Sequence, residues 1–248
     1  MKFGTLMTSS ALAAAMALGL AVNANAAATV TLNSVVGTWL DVDPDAPGGV
    51  AVTGLGTNAI QWGGGGQKSG YSFTGTPGGP FNVEEIFNAG TFTHSNFPIS
   101  SGTSIKSAQL QVDFNVTISD GFVFDTVLTS VFDFTHFETP NSANPCADGG
   151  ANGVGVNVNG CADRVTFKVN PGATTSVDVG GITYILKLTG FIVDGAPANE
   201  FWTAERQNST AIIQGVLTAV PVPAVVPLML TGLGALGVFG YRQHRKAA

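Results

Sequence analysis

The clearest order in the chain is a strict alternation. Leu110, Val112, Phe114, Val116 and Ile118 are separated by Gln111, Asp113, Asn115 and Thr117. An extended backbone places the first set on one face and the second on the other, as in a strand lying on a core with its back in water. Phe122, Phe124, Leu128, Phe132 and Phe134 follow with a shared parity, and Asp120-Gly121 between the two runs is a turn sequence. Together they predict a long antiparallel hairpin with one apolar face. Shorter strands are expected from Thr29 to Trp39, from Tyr71 to Phe73, at Val165-Phe167-Val169, at Ile182-Tyr184-Leu186-Leu188 and from Ala211 to Leu217, where β-branched and aromatic residues dominate. Ile60 to Gly66 reads instead as the opening of a flexible segment. No convincing helix and no repeat of fixed period interrupts this region. The prediction is an all-β domain over 27–219, an antiparallel β-sandwich of jelly-roll-like type with roughly eight to ten short strands.

The two ends break the alternation. Met1-Lys2, the small-residue apolar run Leu6 to Ala21 and Ala24-Asn25-Ala26 have the layout of a secretory signal peptide with an A-x-A cleavage site, expected over 1–26. At the other end, Ala224 to Tyr241 is apolar and uncharged, and Arg242, Arg245 and Lys246 follow it. As a helix this run spans roughly 27 Å against a hydrocarbon core of ~30 Å, a short but single transmembrane helix over 224–241. The basic flank belongs on the cytoplasmic side, so the domain before it lies outside.

Composition narrows the function classes. Glycine supplies 33 of 248 residues and charged residues only 10%, where ~7% glycine and ~25% charge are usual. Long amphipathic helices need more charge; strands joined by glycine turns do not. Between Ala27 and Ala219 six Lys+Arg face sixteen Asp+Glu, a formal charge of −10, which argues against nucleic acid or anionic lipid as a partner and favours solubility or cation binding. Cys146 and Cys161 are the two cysteines. In an exported chain an isolated pair reads as a disulfide, worth about 3 kcal/mol for a loop of that size; zinc, the rival, would need two further ligands.

Polar residues at three places point to candidate chemistry. His94 and Asn96 sit two apart, His136 and Glu138 end the phenylalanine run, and Glu205 lies beside Phe201 and Trp202. If His94, His136 and Glu138 converge, they could bind a metal or perform acid–base work; alternatively they form a buried hydrogen-bond network completed by Thr93 and Asn96. Calcium would draw instead on Glu138, Asn141, Asp148 and Asp163, without histidine. Asp41, Asp43 and Asp45 alternate as at the start of an EF-hand loop, but Ala46 and Val52 stand where glycine and glutamate are needed, so a turn of solvated aspartates is expected. Trp39, Trp62, Trp202 and Tyr71 could stack on sugar rings if exposed. The sequence has no Gly-x-Ser-x-Gly elbow, His-Glu-x-x-His helix or phosphate loop, which makes a hydrolase the weakest of the readings.

Thr93-His94-Ser95-Asn96, the segment Glu138-Thr139-Pro140-Asn141, and the tail Val220-Pro221-Val222-Pro223 with Arg242, Arg245 and Lys246 carry a resemblance. The chain resembles the THxN family of PEP-CTERM proteins, exported bacterial proteins with a C-terminal sorting signal, over most of Trp62 to Leu217. It departs from the main signal in lacking a glutamate between the prolines, at Val222. The resemblance implies export, a membrane-held intermediate over 220–248, processing by an exosortase-like enzyme, and delivery to the cell surface, outer envelope or medium. It implies no activity and no cofactor, structural calcium being the one addition the carboxylates suggest. The expectation is a non-enzymatic surface or extracellular-matrix protein. The alternatives are a carbohydrate-binding or calcium-stabilised adhesion module, with extracellular polysaccharide as its partner, and, less favoured, a hydrolase.

Overall fold

The computed structural model describes residues 28–46, 51–119, 121–170 and 175–221. The expected signal peptide, the expected helix at 224–241 and the motif residues Val222, Pro223, Arg242, Arg245 and Lys246 lie outside the described residues. Among the described residues no helix is long and apolar enough to cross a membrane.

Thirteen strands are formed among the described residues: β1 Thr29–Pro44, β2 Ala59–Trp62, β3 Ser69–Gly75, β4 Gly79–Asn82, β5 Ile86–Asn96, β6 Ile105–Ser119, β7 Val123–Phe137, β8 Asp163–Asn170, β9 Ser176–Val179, β10 Ile182–Val193, β11 Ala196–Ala198, β12 Glu200–Thr203 and β13 Gln207–Pro221. They build two packed sheets, ordered β12-β8-β7-β6-β1-β4 and β11-β10-β13-β5-β3-β2, with β9 also on β10. Every pairing between named strands is antiparallel. The all-β sandwich read from the alternation is the observed architecture.

The long hairpin is β6 and β7, in unbroken register from Ser119 opposite Val123 to Ser107 opposite Thr135. Its apolar parity runs further than its burial. Leu128, Phe132 and Phe134 are buried, whereas Phe122 and Phe124, at the tip, are exposed. Two other expectations are corrected. Strand β1 continues five residues past Trp39 because β6 still pairs with it, so Asp41 and Asp43 lie on the exposed side of a strand and not in a turn. Ile60, Gln61 and Trp62 belong to β2, paired with β3 from Ala59 opposite Ser72 to Trp62 opposite Ser69; the flexible-segment reading fails because the glycine run begins only after them. The last strand passes the expected boundary at Ala219, and Val220 and Pro221 pair with Thr183 and Ile182.

The core lies between the sheets and is aromatic. Phe92 and Phe134, from opposite sheets, stack at 4.8 Å with 14° between their planes, and Trp39, Tyr71, Phe191 and Phe201 pack around them. Phe73 fits because two neighbours lack side chains: a Cβ at Gly37 would come within 2.3 Å of its ring, and one at Gly90 within 2.5 Å.

The sandwich has two unlike ends. At one, the hairpin tip lies beside Thr29, which pairs with both Ser119 and Asn82. Glu84 ties the second sheet to this end, its N–H donating to Leu217 O and its carboxylate accepting from Ala219 N–H, so the chain leaves at Pro221 near the tip. At the other end, β7 finishes, β8 begins, and β5 finishes opposite the start of β13. The fifteen residues of β6 separate the two ends by about 45 Å at ~3.3 Å per residue. Phe92→Ala removes the ring at the centre of the aromatic stack. It is expected to destabilise the domain by ~3–5 kcal/mol, measured by denaturant unfolding followed through tryptophan fluorescence.

Candidate functional site

At the end remote from the chain exit, the core-facing positions turn polar strand by strand. In β5 the parity of Phe92 continues as His94 and Asn96, and in β7 that of Phe132 and Phe134 continues as His136. Asp163 opens β8 on the parity of Val165, Thr203 ends β12 on the parity of Phe201, and Glu205 follows two residues later. Tyr71 and Ser69 do the same in β3. His94, Asn96, Asp163, Thr203 and Glu205 are wholly buried and His136 nearly so.

The geometry is compact. The rings of His94 and His136 cross at 90° with centroids 5.2 Å apart. His94 Nδ1 lies 3.0 Å from Thr203 Oγ1, and His136 Nδ1 lies 2.8 Å from the Tyr71 hydroxyl. His136 Nε2 is 3.4 Å from Glu138 Oε2 and 4.0 Å from Asp163 Oδ2. Asp163 Oδ1 accepts from the Thr139 backbone N–H at 2.8 Å and lies 3.1 Å from the Thr139 hydroxyl. The far side of the cluster is different. His94 Nε2, Asp163 Oδ2, both Glu205 carboxylate oxygens, Asn96 Oδ1 and Asn141 Oδ1 are buried without a hydrogen-bond partner among the described residues.

Burial sets the electrostatics, because an apolar surround disfavours every charged form. It pushes His94 well below the ordinary imidazole value, with His136 adding to the shift. It takes His136 down to about 4 against the opposing pull of Asp163 and Asp45. Burial lifts Asp163, and the charge of Glu138 lifts it further; burial also lifts Glu138, opposed by the hydrogen bond from Ser104. Glu205 is pushed up to about 7 by burial, with the polar side chain of Asn141 acting the other way. Tyr71 is held well above its ordinary value by burial and by the charges of Asp163 and Glu138.

Glu138 joins this interior to the surface. Its side chain is 22% exposed, accepts from Ser104 Oγ at 3.1 Å, and borders a cleft of about 590 Å³ lined also by Asp45, Ser100, Thr139 and Asn141.

His94, Asn96, His136, Glu138, Thr139, Asn141 and Glu205 are therefore brought to one region. Thr93 is not: it alternates with His94 and faces the other side of β5, and Thr203, which the sequence reading missed, takes its place as partner. Asp148 does not join the expected calcium set. It is exposed and accepts hydrogen bonds from Asn157 Nδ2 and Gly150 N–H, which hold it below the usual carboxylate range. Trp39, Trp62 and Tyr71 are buried in the core, so they are not available to stack on sugars; only Trp202 is half-exposed, under Arg164. Cys146 and Cys161 form the expected disulfide, with Cα atoms 5.3 Å apart. Its loop builds the site: Thr139 Oγ1 lies 3.0 Å from the carbonyl oxygens of Cys161 and Ala162, and Ala162 N–H donates to Asn157 Oδ1.

The cluster combines two neutral imidazoles with three carboxyl groups of raised pKa, a composition usable for ligating a cation or for proton transfer. One donor atom from each of His94, His136 and Asp163 lies within 4.8 Å of the others, and the same holds for Glu138, Asp163 and Glu205. No protein-family model and no curated protein matches the chain.

The shifts fix a pH dependence for the metal-free protein. Above pH ~6.5 the unfolded chain has released its carboxyl protons, while folded Asp163 and Glu205 still hold some. The folded state then binds more protons, so stability falls as pH rises. The histidines act oppositely, but their contribution fades within about one unit above the ordinary imidazole value, while that of the carboxyls continues. In chelator, Tm is expected to fall between pH 6.5 and 8, and Glu205→Gln to flatten that fall, as read by thermal scans across the range.

Proposed function

We propose that the chain is an exported cell-envelope protein that works by binding and display, not by catalysis. The observation that carries this reading is the Cys146–Cys161 disulfide, a bond that persists in oxidising, extracytoplasmic compartments. The signal-peptide pattern at 1–26 and the sorting-signal pattern at 220–248 agree with it. The chain crosses between sheets as β1, then β2 and β3, back to β4, and over again to β5, a pattern that supports the jelly-roll-like form of the sandwich.

The layout of the two ends also favours a membrane-held intermediate. Only Val222 and Pro223 separate Pro221 from the apolar run at Ala224, a reach of about 10 Å at ~3.3 Å per residue. If that run spans the inner membrane, the end of the sandwich that carries the hairpin tip faces the bilayer. Phe122 is 76% exposed there and Val123 74%, which suits an interface of lipid headgroups. The cleft end then points away from the membrane by the length of the sandwich. Processing by an exosortase-like enzyme would pass the domain to the cell surface, outer envelope or medium, where polysaccharide is a candidate partner. A carbohydrate module that recognises sugars by aromatic stacking is less favoured because three of its four expected rings are buried. A hydrolase is less favoured because His94 is sealed from the cleft that Glu138 borders.

Intact mass of the protein from separated host fractions tests the reading. A species beginning near Ala27 and ending before Ala224, outside the inner membrane and with oxidised cysteines, is expected. A full-length, reduced chain in the cytoplasm would overturn the proposal. For the tip, Phe122→Trp in the full chain in phosphatidylcholine vesicles should give emission quenched by brominated acyl chains, and an unquenched tryptophan would remove the membrane contact.

A further inference from the structure

We propose that His94, His136 and Asp163 bind one first-row divalent transition-metal ion, zinc being the best match, with Glu138 closing the site toward the cleft. This site does not depend on where the protein is displayed.

His94 Nε2 and Asp163 Oδ2, two of the atoms a metal needs, are unengaged, and the third, His136 Nε2, is met by Glu138 Oε2 at 3.4 Å. Each histidine has its Nδ1 within hydrogen-bond distance of a hydroxyl, Thr203 for His94 and Tyr71 for His136. With Nδ1–H donating to that hydroxyl, the Nε2 lone pair is directed at the ligand, the arrangement by which ligating imidazoles are usually held. Asp163 repeats the pattern, with Oδ1 pinned by Thr139 and Oδ2 unpartnered. Ligands at ~2.0–2.2 Å from a tetrahedral zinc lie ~3.3–3.5 Å from one another. His136 Nε2 and Glu138 Oε2 already lie 3.4 Å apart, His136 Nε2 and Asp163 Oδ2 4.0 Å, and a donor atom of His94 lies within 4.8 Å of those of His136 and Asp163, so the set would draw together around an ion.

A hydrogen-bond network alone leaves the cluster unsatisfied. His94 Nε2, Asp163 Oδ2 and both oxygens of Glu205 would each need a partner, and among the described residues they have none. Orphaned buried polar groups are costly. One divalent cation compensates His94, His136 and Asp163 directly and offsets the charge of Glu138 and Glu205. Calcium fits less well, because it takes six to eight oxygens and two of the inward donors here are imidazole nitrogens. Glu138 and Asp45 on the cleft give a cation an acidic way in, and the aromatic wall of Trp62 and Tyr71 beside the histidines keeps the site in a low-dielectric surround.

The test uses the full chain, stripped with chelator and titrated separately with Zn²⁺, Co²⁺ and Ca²⁺. One equivalent of Zn²⁺ or Co²⁺ per chain is expected, with a raised Tm and, for Co²⁺, visible absorption of a low-coordinate nitrogen–oxygen site. His94→Gln and Asp163→Asn should weaken binding by about 100-fold or more, and Thr203→Val, which frees the His94 ring, by ~10–100-fold. His244→Gln, in the tail, should leave binding unchanged. Asp163→Asn removes a buried charge, so a native-like circular dichroism spectrum with lost binding separates ligand loss from unfolding. Full-strength binding by folded His94→Gln and Asp163→Asn, no stoichiometric Zn²⁺ or Co²⁺ binding by the folded chain, or a Tm raised by Ca²⁺ alone would overturn the proposal.

Discussion

Two histidines and two carboxyl groups are buried together at one end of an otherwise aromatic sandwich, with Glu138 at their edge, and most of the local structure answers to that. Such groups are tolerated in a core only where hydrogen bonds or counter-charge replace water. Part of that replacement is visible. Tyr71 and Thr203 occupy one nitrogen of each ring, and Thr139 occupies one oxygen of Asp163. One donor atom from each of His94, His136 and Asp163 lies within 4.8 Å of the others, which is why a cation is the proposed completion.

The disulfide loop belongs to the same account. Cys161 lies two residues before Asp163, and the carbonyls of Cys161 and Ala162 lie beside the Thr139 hydroxyl. Asn157, buried and held by Asp148, accepts from Ala162 N–H, while Asn152 Nδ2 donates to the carbonyls of Asn141 and Ala143. A glycine-rich segment thereby becomes a fixed frame that sets Asp163 against β7. At the opposite end, about 45 Å away along β6, the exposed Phe122–Val123 tip and the chain exit at Pro221 leave the site clear of the proposed membrane face.

How much of this was legible varied with range along the chain. The β6–β7 hairpin could be read because its signal is local, a period of two around a turn. His94 and His136 could be read as core-facing because each follows a phenylalanine by two residues. Asp163 was assigned to a calcium set with Asp148 because nothing local marks where β8 begins; its parity with Val165 was the available signal. The partners Thr203 and Tyr71 lie 109 and 65 positions from their histidines, and no local pattern links residues that meet only across two sheets. Trp62 looked mobile beside its glycines, but pairing of β2 with β3 carries it into the core.

The most direct measurement is anomalous diffraction from crystals of the protein grown with zinc, collected on both sides of the zinc absorption edge. One strong edge-dependent peak is expected between His94 Nε2, His136 Nε2 and Asp163 Oδ2, within about 2.0–2.2 Å of each. No peak there, with the same side chains ordered and hydrogen-bonded to one another, would contradict it.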